Sequence, residues 1–272
     1  MQRSCLRYTC LLIAFAASAP MTAVAVDGVS LIDQNRAIAG NVTPGDTPGF
    51  PVSINSPGIY KLASNLIVPN SSTTAIQINV DNVTIDLNGF AILGPNVCAT
   101  DGFTVALPCT LPSSGPFVGM GIDGGTGTPA AVRNTRVLNG TIEGMGGIGI
   151  FLNVNSRIEK MNVSSNGSYG VYTLGGVILD TLVRANGNIG IVTTGAVITG
   201  SRTIFNRGYG IQTGNASLLN GNIIQTNLSY GLVLTGTTRY TDNVIGDNNA
   251  GGPQISGGTQ AGVNTCGTAA CP

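Results

Sequence analysis

The chain has 272 residues, of which only 9% are charged and 5% aromatic, with 12 Lys and Arg balanced by 12 Asp and Glu. Such a balance offers no basic field for nucleic acid. The absence of His and Trp excludes imidazole metal sites, Ser-His-Asp triads and Trp platforms for sugars.

Taken in chain order, "MQRSCLR" followed by "YTCLLIAFAASAP" and the small-x-small "AVA" at 23–25 reads as a secretory signal peptide cut after Ala25. That apolar stretch is too short for a stable membrane span, and no later run is longer, so a membrane span is not expected. The expected location is secreted or periplasmic in a bacterium. Losing Arg3 and Arg7 from a balanced chain leaves a net charge of about −2. Four cysteines then remain, Cys98, Cys109, Cys266 and Cys271. An even number in an exported chain points to disulfides, and proximity favours Cys98–Cys109 and Cys266–Cys271. Thiolate metal binding does not suit that compartment, so no metal site is expected.

Residues 26–55 read as an N-terminal cap with a short helix or extended strands. From 56 a strand pattern begins: "AIQINVDNVTIDLNGFAILG" (75–94) alternates apolar and polar residues as half-buried strands do. Residues 95–120 break the rhythm and read as a loop insertion closed by Cys98–Cys109. Its Phe103 and Phe117 would either roof a groove or anchor the loop. "VRNTRVLNGTIEGMGGIGI" (132–150) returns to the earlier "LNG" pattern.

A repeat follows. Asn166, Asn186, Asn206, Asn227 and Asn248 are separated by 20, 20, 21 and 21 residues, and Gly149, Gly170, Gly190, Gly210 and Gly231 keep the same step. Three apolar files share this register. Ile150, Val171, Ile191, Ile211 and Leu232 follow each Gly. Val163, Val183, Thr203, Ile224 and Ile245 lie three before each Asn, and Ile158, Ile178, Ile198, Leu219 and Tyr240 eight before it. A period near twenty with three short inward stretches predicts one coil of a parallel β-helix per repeat. Asn-Gly hairpins and leucine-rich repeats fit less well: the period persists where Asn and Gly are not adjacent, and the L-x-x-L-x-L spacing is missing. Stacked coils would place the Asn side chains in a hydrogen-bonded ladder, with Asn in left-handed angles at a bend and Gly where the chain turns tightly. The expected architecture is all-β, a single-stranded right-handed parallel β-helix over 56–252 with seven or eight coils. Residues 253–272, holding the second Cys pair, read as a C-terminal closure.

The stretches "SPGIYKLASNL" (56–66), "NVTIDLNGFAILG" (82–94) and "VLNGTIEG" (137–144), with the Asn-x-x-x-Gly coils, resemble the exported bacterial right-handed parallel β-helix repeat proteins of the pectate-lyase-like superfamily. The resemblance covers roughly residues 30–265. It implies the fold and leaves the activity open, since the superfamily holds lyases, glycoside hydrolases, esterases, epimerases, tailspikes and adhesins.

Without His, two catalytic routes remain: a carboxylate pair for glycoside hydrolysis, or β-elimination by a Lys or Arg base, with calcium entering only on the lyase route. The repeat register gathers Lys160, Asp180, Arg184 and Arg202 as a candidate polar surface column, which reads equally as an ion ladder along a sheet. Tyr169, Tyr209 and Tyr230 precede their Gly residues and would either stack on sugar rings or pack as a half-buried ladder. The favoured expectation is a non-catalytic protein presenting a rigid surface to a polysaccharide or another partner, with no cofactor. The alternative is a polysaccharide lyase or glycoside hydrolase.

Overall fold

A computed structural model describes residues 28–97, 115, 117–125, 132–267 and 269–271. The expected leader, the Cys98–Cys109 pair and Phe103 lie outside these residues.

The chain folds as a right-handed parallel β-helix with three strands to a coil. The first sheet has nine strands in strict order, from Val52–Ile54 and Ile76–Ile78 through Ile150–Leu152, Val171–Thr173, Ile191–Thr194 and Ile211–Gly214 to Ile255–Ser256. The second sheet runs through Gly58–Leu62, Gly176–Leu179 and Ala196–Thr199, and the third through Leu66–Ile67, Leu182–Arg184 and Arg202–Ile204. Two long strands, Arg136–Glu143 and Ser156–Ser164, turn the corner between them without a break and join them into one 18-stranded assembly. The only α-helix among the described residues is Gln34–Ala39, opened by Asp33, whose carboxylate accepts from the Arg36 N–H at 2.9 Å.

Nine coils exceed the seven or eight expected. Among the described residues, segments flanking the repeats on both sides pair in register with them: Ser30–Ile32 lies on Gly58–Leu62, Val52–Ile54 on Ile76–Ile78, and Ile255–Ser256 on Leu232–Leu234. These segments lack the Asn-x-x-x-Gly pattern, so composition hides them.

The core is a stack of identical rungs. Ile150, Val171, Ile191, Ile211 and Leu232 are direct register partners, and so are Ile158, Ile178, Ile198, Leu219 and Tyr240. Every member of the three apolar files is buried. Parallel pairing at about 4.8 Å brings each side chain against its own counterpart, so one apolar choice repeated at each coil fills the interior.

The Asn ladder lies inside this stack. Asn166 donates from both its N–H and its Nδ2 to Asn186 Oδ1, at 3.1 and 2.9 Å, and Asn186 does the same to Asn206. The second Nδ2 hydrogen of Asn186 reaches Val163 O at 3.3 Å. The left-handed angles fall on the residue before each ladder Asn, not on the Asn as expected: Ser165, Ala185, Phe205, Thr226 and Asp247 have φ between 53° and 57°. The Asn side chain holds the bend by satisfying the backbone that the bend leaves unpaired. The recurring Gly has a steric cause, because a Cβ at Gly190 would stand 2.7 Å from Asn206 Nδ2 and from Gly210 O.

Both ends of the stack are closed by side chains. Gln254 ends the ladder: Asn248 N and Nδ2 donate to Gln254 Oε1 at 3.0 and 2.9 Å, as they would to a further Asn. At the other end, Asp46 accepts from Ser53 N at 2.7 Å and Thr43 Oγ1 donates to Ser53 O at 2.6 Å, which blunts the edge of the first sheet. Cys266 and Cys271 are bonded across a short antiparallel pair, Thr265–Cys266 with Ala269–Ala270.

Candidate functional site

A β-helix presents its outward residues in files, one residue per coil. Two surfaces carry chemistry, the outside of the first sheet and the corner between the second and third.

On the first sheet, alternation turns the middle residue of each strand outward. Gln77, Asp123, Phe151, Tyr172, Val192, Gln212 and Val233 form one continuous file. Phe151 and Tyr172 meet edge to face with centroids 4.9 Å apart, and Phe117 closes on both, at 5.6 and 6.1 Å. Tyr169 lies 6.0 Å from Tyr172, on the neighbouring file. Ile189 separates Tyr169 from Tyr209 and Tyr230 in that file, and the last two rings are 6.1 Å apart. The four tyrosines are half-buried and Phe117 is exposed. Asp123, whose side chain accepts from Gly125 N at 2.9 Å, is buried. The strip along these two files is therefore aromatic and aliphatic, with amides and no exposed charge. Phe117 reaches it from the segment expected as an insertion.

The second surface gathers charge. Arg136 and Arg157 are register partners on adjacent coils. Both bind the carboxylate of Glu159: Arg136 through Nε at 2.6 Å and through Nη2, Arg157 through Nε at 2.9 Å. The carboxylate side chain is 9% exposed and the two guanidinium side chains are 46% and 45% exposed. Burial alone would push the Glu159 carboxyl up, but hydrogen bonds and charge from Arg136 and Arg157 hold it below the ordinary range. No spacing in the sequence marks Glu159, and the candidate column includes neither arginine. The signal was there in the 21-residue step from Arg136 to Arg157, one coil.

The four residues of the candidate polar column are all exposed but occupy three positions. Lys160 and Asp180 sit at the corner between the sheets, both in left-handed angles, with φ 52° and 47°. Arg202 opens its strand in the third sheet and aligns with Leu182, whereas Arg184 closes the strand before and aligns with Ser164 and Ile204. Among the described residues none of the four makes an ion pair. Arg184 also lines a shallow groove of about 370 Å³ with Glu143, Ser165, Asn96 and Leu93. Among the described residues no group of three or more Cys, Asp or Glu could hold a metal ion, and no helix is long and apolar enough to cross a membrane.

These features define a single-chain right-handed parallel β-helix with one aromatic and one charged outer surface. No protein-family model and no curated protein matches the chain. Among solved structures it is similar to the Azotobacter vinelandii mannuronan C-5 epimerase AlgE4 A-module, with 15% identity, a TM-score of 0.41, and coverage of 84% of this chain and 70% of that one. It is also similar to the AlgE6 A-module of the same organism, with 14% identity, a TM-score of 0.42, and coverage of 84% and 69%.

Proposed function

We propose that this chain is a non-catalytic carbohydrate-binding solenoid acting outside the cytoplasm, with its glycan lying along the outward strip of the first sheet. The observation that carries this reading is the uncharged run of Phe117, Tyr172 and Tyr169, seated on the buried Phe151 and continued by Tyr209 and Tyr230. Sugar rings present C–H faces that stack on aromatic rings, and Gln212, in the same outward file as Tyr172, supplies an amide to bond hydroxyls. Phe151 and Tyr172 stand on strands paired on both sides, and Tyr169, Tyr209 and Tyr230 sit at the turn just before their strands, so the platform is largely preformed and little entropy is lost when a ligand docks. The apolar leader and the bonded Cys266–Cys271 pair support an extracytoplasmic location.

Binding is favoured over the lyase or hydrolase alternative by the charged residues themselves. Glu159 is held ionised by two arginines, which suits an ion pair and not a proton donor. Lys160, Asp180, Arg184 and Arg202 occupy three positions and not one file, and among the described residues none of them forms an ion pair. Calcium belongs only to the lyase alternative.

The test is a panel of neutral oligosaccharides against the full chain, with parallel assays for reducing ends and unsaturated products. Specific retention that weakens about tenfold in Tyr172→Ala and in Tyr230→Ala, without turnover, is the expected result. Turnover abolished by Lys160→Ala or Asp180→Asn would replace this reading with the enzymatic one.

A further inference from the structure

We infer that the corner between the second and third sheets is a polyanion-binding band, entered at the Arg136–Arg157 pair, that takes the carboxylate or sulfate groups of an acidic polysaccharide.

The argument begins with an excess of charge. Two arginines face each other on adjacent coils, about 4.8 Å apart, an arrangement that is repulsive by itself. Glu159 is one carboxylate shared between them. A structural ion pair needs one arginine, and the second leaves a positive charge uncompensated. Each guanidinium is gripped through Nε and is nearly half exposed, so its remaining N–H groups face solvent in a fixed orientation. That is how a bidentate site for a planar or tetrahedral oxyanion is built.

The band continues past this pair. Lys160 follows Glu159 and occupies the corner in a left-handed conformation, where other coils place Asn139, Asp180, Gly200, Gly221 and Asp242. Asn, Asp and Gly are the residues that suit such angles, and a lysine there sets a long cation on the crest of the corner at some conformational cost. Arg184 and Arg202 lie beyond it on the next two coils of the third sheet. Among the described residues, Lys160, Arg184 and Arg202 have no carboxylate within 4.0 Å. Arg136, Arg157, Lys160, Arg184 and Arg202 thus outnumber Glu143, Glu159 and Asp180 on the same coils.

The spacing selects the ligand. The cations step from coil to coil across two sheets, which matches a linear ligand charged along its length and not a single small ion. Nucleic acid fits poorly, since the outward neighbours of the Arg136–Arg157 pair and Lys160 are Leu138, Val177, Leu179 and Thr141, with no aromatic ring for a base to stack on where the band is entered. The inference uses none of the residues of the first-sheet strip.

The test measures binding of polygalacturonate, dextran sulfate, neutral dextran and a DNA duplex to the full chain at low and raised salt. Expected is binding of the two acidic polysaccharides that weakens steeply with salt, whereas any binding of neutral dextran, which would belong to the first-sheet strip, is weaker and indifferent to salt. Arg157→Gln should weaken it at least about tenfold, and so should the double change Arg184→Gln with Arg202→Gln. The double variant matters because those arginines make no ion pair, so a loss there does not come from damage to the fold. Arg207→Gln removes an exposed cation away from the band and should leave binding unchanged. Acidic polysaccharides bound no better than dextran, affinity indifferent to both sets of substitutions, or tighter binding of the duplex would each overturn the inference. Neutral glycan binding at the first sheet would survive any of these outcomes.

Discussion

Asn186 sits directly over Asn206 in the interior, its Nδ2 donating to Asn206 Oδ1 at 2.9 Å, and both residues are fully buried. Every polar atom of the Asn186 side chain is used: Oδ1 accepts twice from Asn166, and Nδ2 donates to Asn206 and to Val163 O. Asn186→Ala removes all of these partners and leaves a backbone N–H and a carbonyl stranded away from water. Each stranded group costs about 1–3 kcal/mol, so a loss of at least about 3 kcal/mol is expected. Urea unfolding should show it as a lower midpoint at unchanged slope.

Two glycines test separate causes. Gly190→Ala would press a methyl group onto Asn206 Nδ2 and Gly210 O in the next coil, both 2.7 Å away. Neither can retreat without breaking the ladder or the strand pairing, so about 2–3 kcal/mol should be lost. Gly221 has φ 65° with nothing within 4 Å of its added Cβ. Gly221→Ala should therefore cost only the backbone term, about 1 kcal/mol. Equal losses in the two variants would remove the steric explanation for the Gly file.

The ion pair at Glu159 has a defined pH signature. Its carboxyl is held below the ordinary value of 4.5, so folding favours the ionised form. The stabilisation is complete above that ordinary value and disappears as pH falls through the lower folded one. Glu159→Gln should accordingly be less stable than the parent at pH 7, with the difference shrinking in acid. Thermal melts across this range check the sign, and a difference growing toward low pH would contradict it.

The Cys266–Cys271 bond closes a loop with a sequence separation of 5. Chain-entropy arguments give a bond over so short a loop about 2 kcal/mol. In Cys271→Ser the loss should be local. Hydrogen exchange should quicken in Thr259–Gln260 and Thr265–Cys266 while the buried rungs of the middle coils keep their protection.

Much of this molecule was legible in one dimension. The twenty-residue period, the three apolar files and the alignment of Asn166, Asn186, Asn206, Asn227 and Asn248 can be read directly, because in a parallel stack each residue meets its own counterpart one coil away. Sequence spacing then becomes spatial contact, and repeating a residue is the same as packing it. The Asn222, Asn243 and Asn264 ladder, bonded at 3.0 Å per step, was legible on the same principle but passed unnoticed, because earlier coils fill that file with Ser201 and Thr181.

What only the tertiary structure decided lacks a shared residue type. The left-handed bend falls on Ser165, Ala185, Phe205, Thr226 and Asp247, which have no chemistry in common. Gln254 ends the Asn ladder with a different side chain, reaching back 6 residues. Phe117 comes from outside the repeat to cover Phe151 and Tyr172, and Glu159 joins two arginines from different coils. A periodic chain determines its own stacking by itself, since that depends on like meeting like. Contacts between unlike residues on its surface depend on which way each side chain leaves the coil, and the folded backbone settles that.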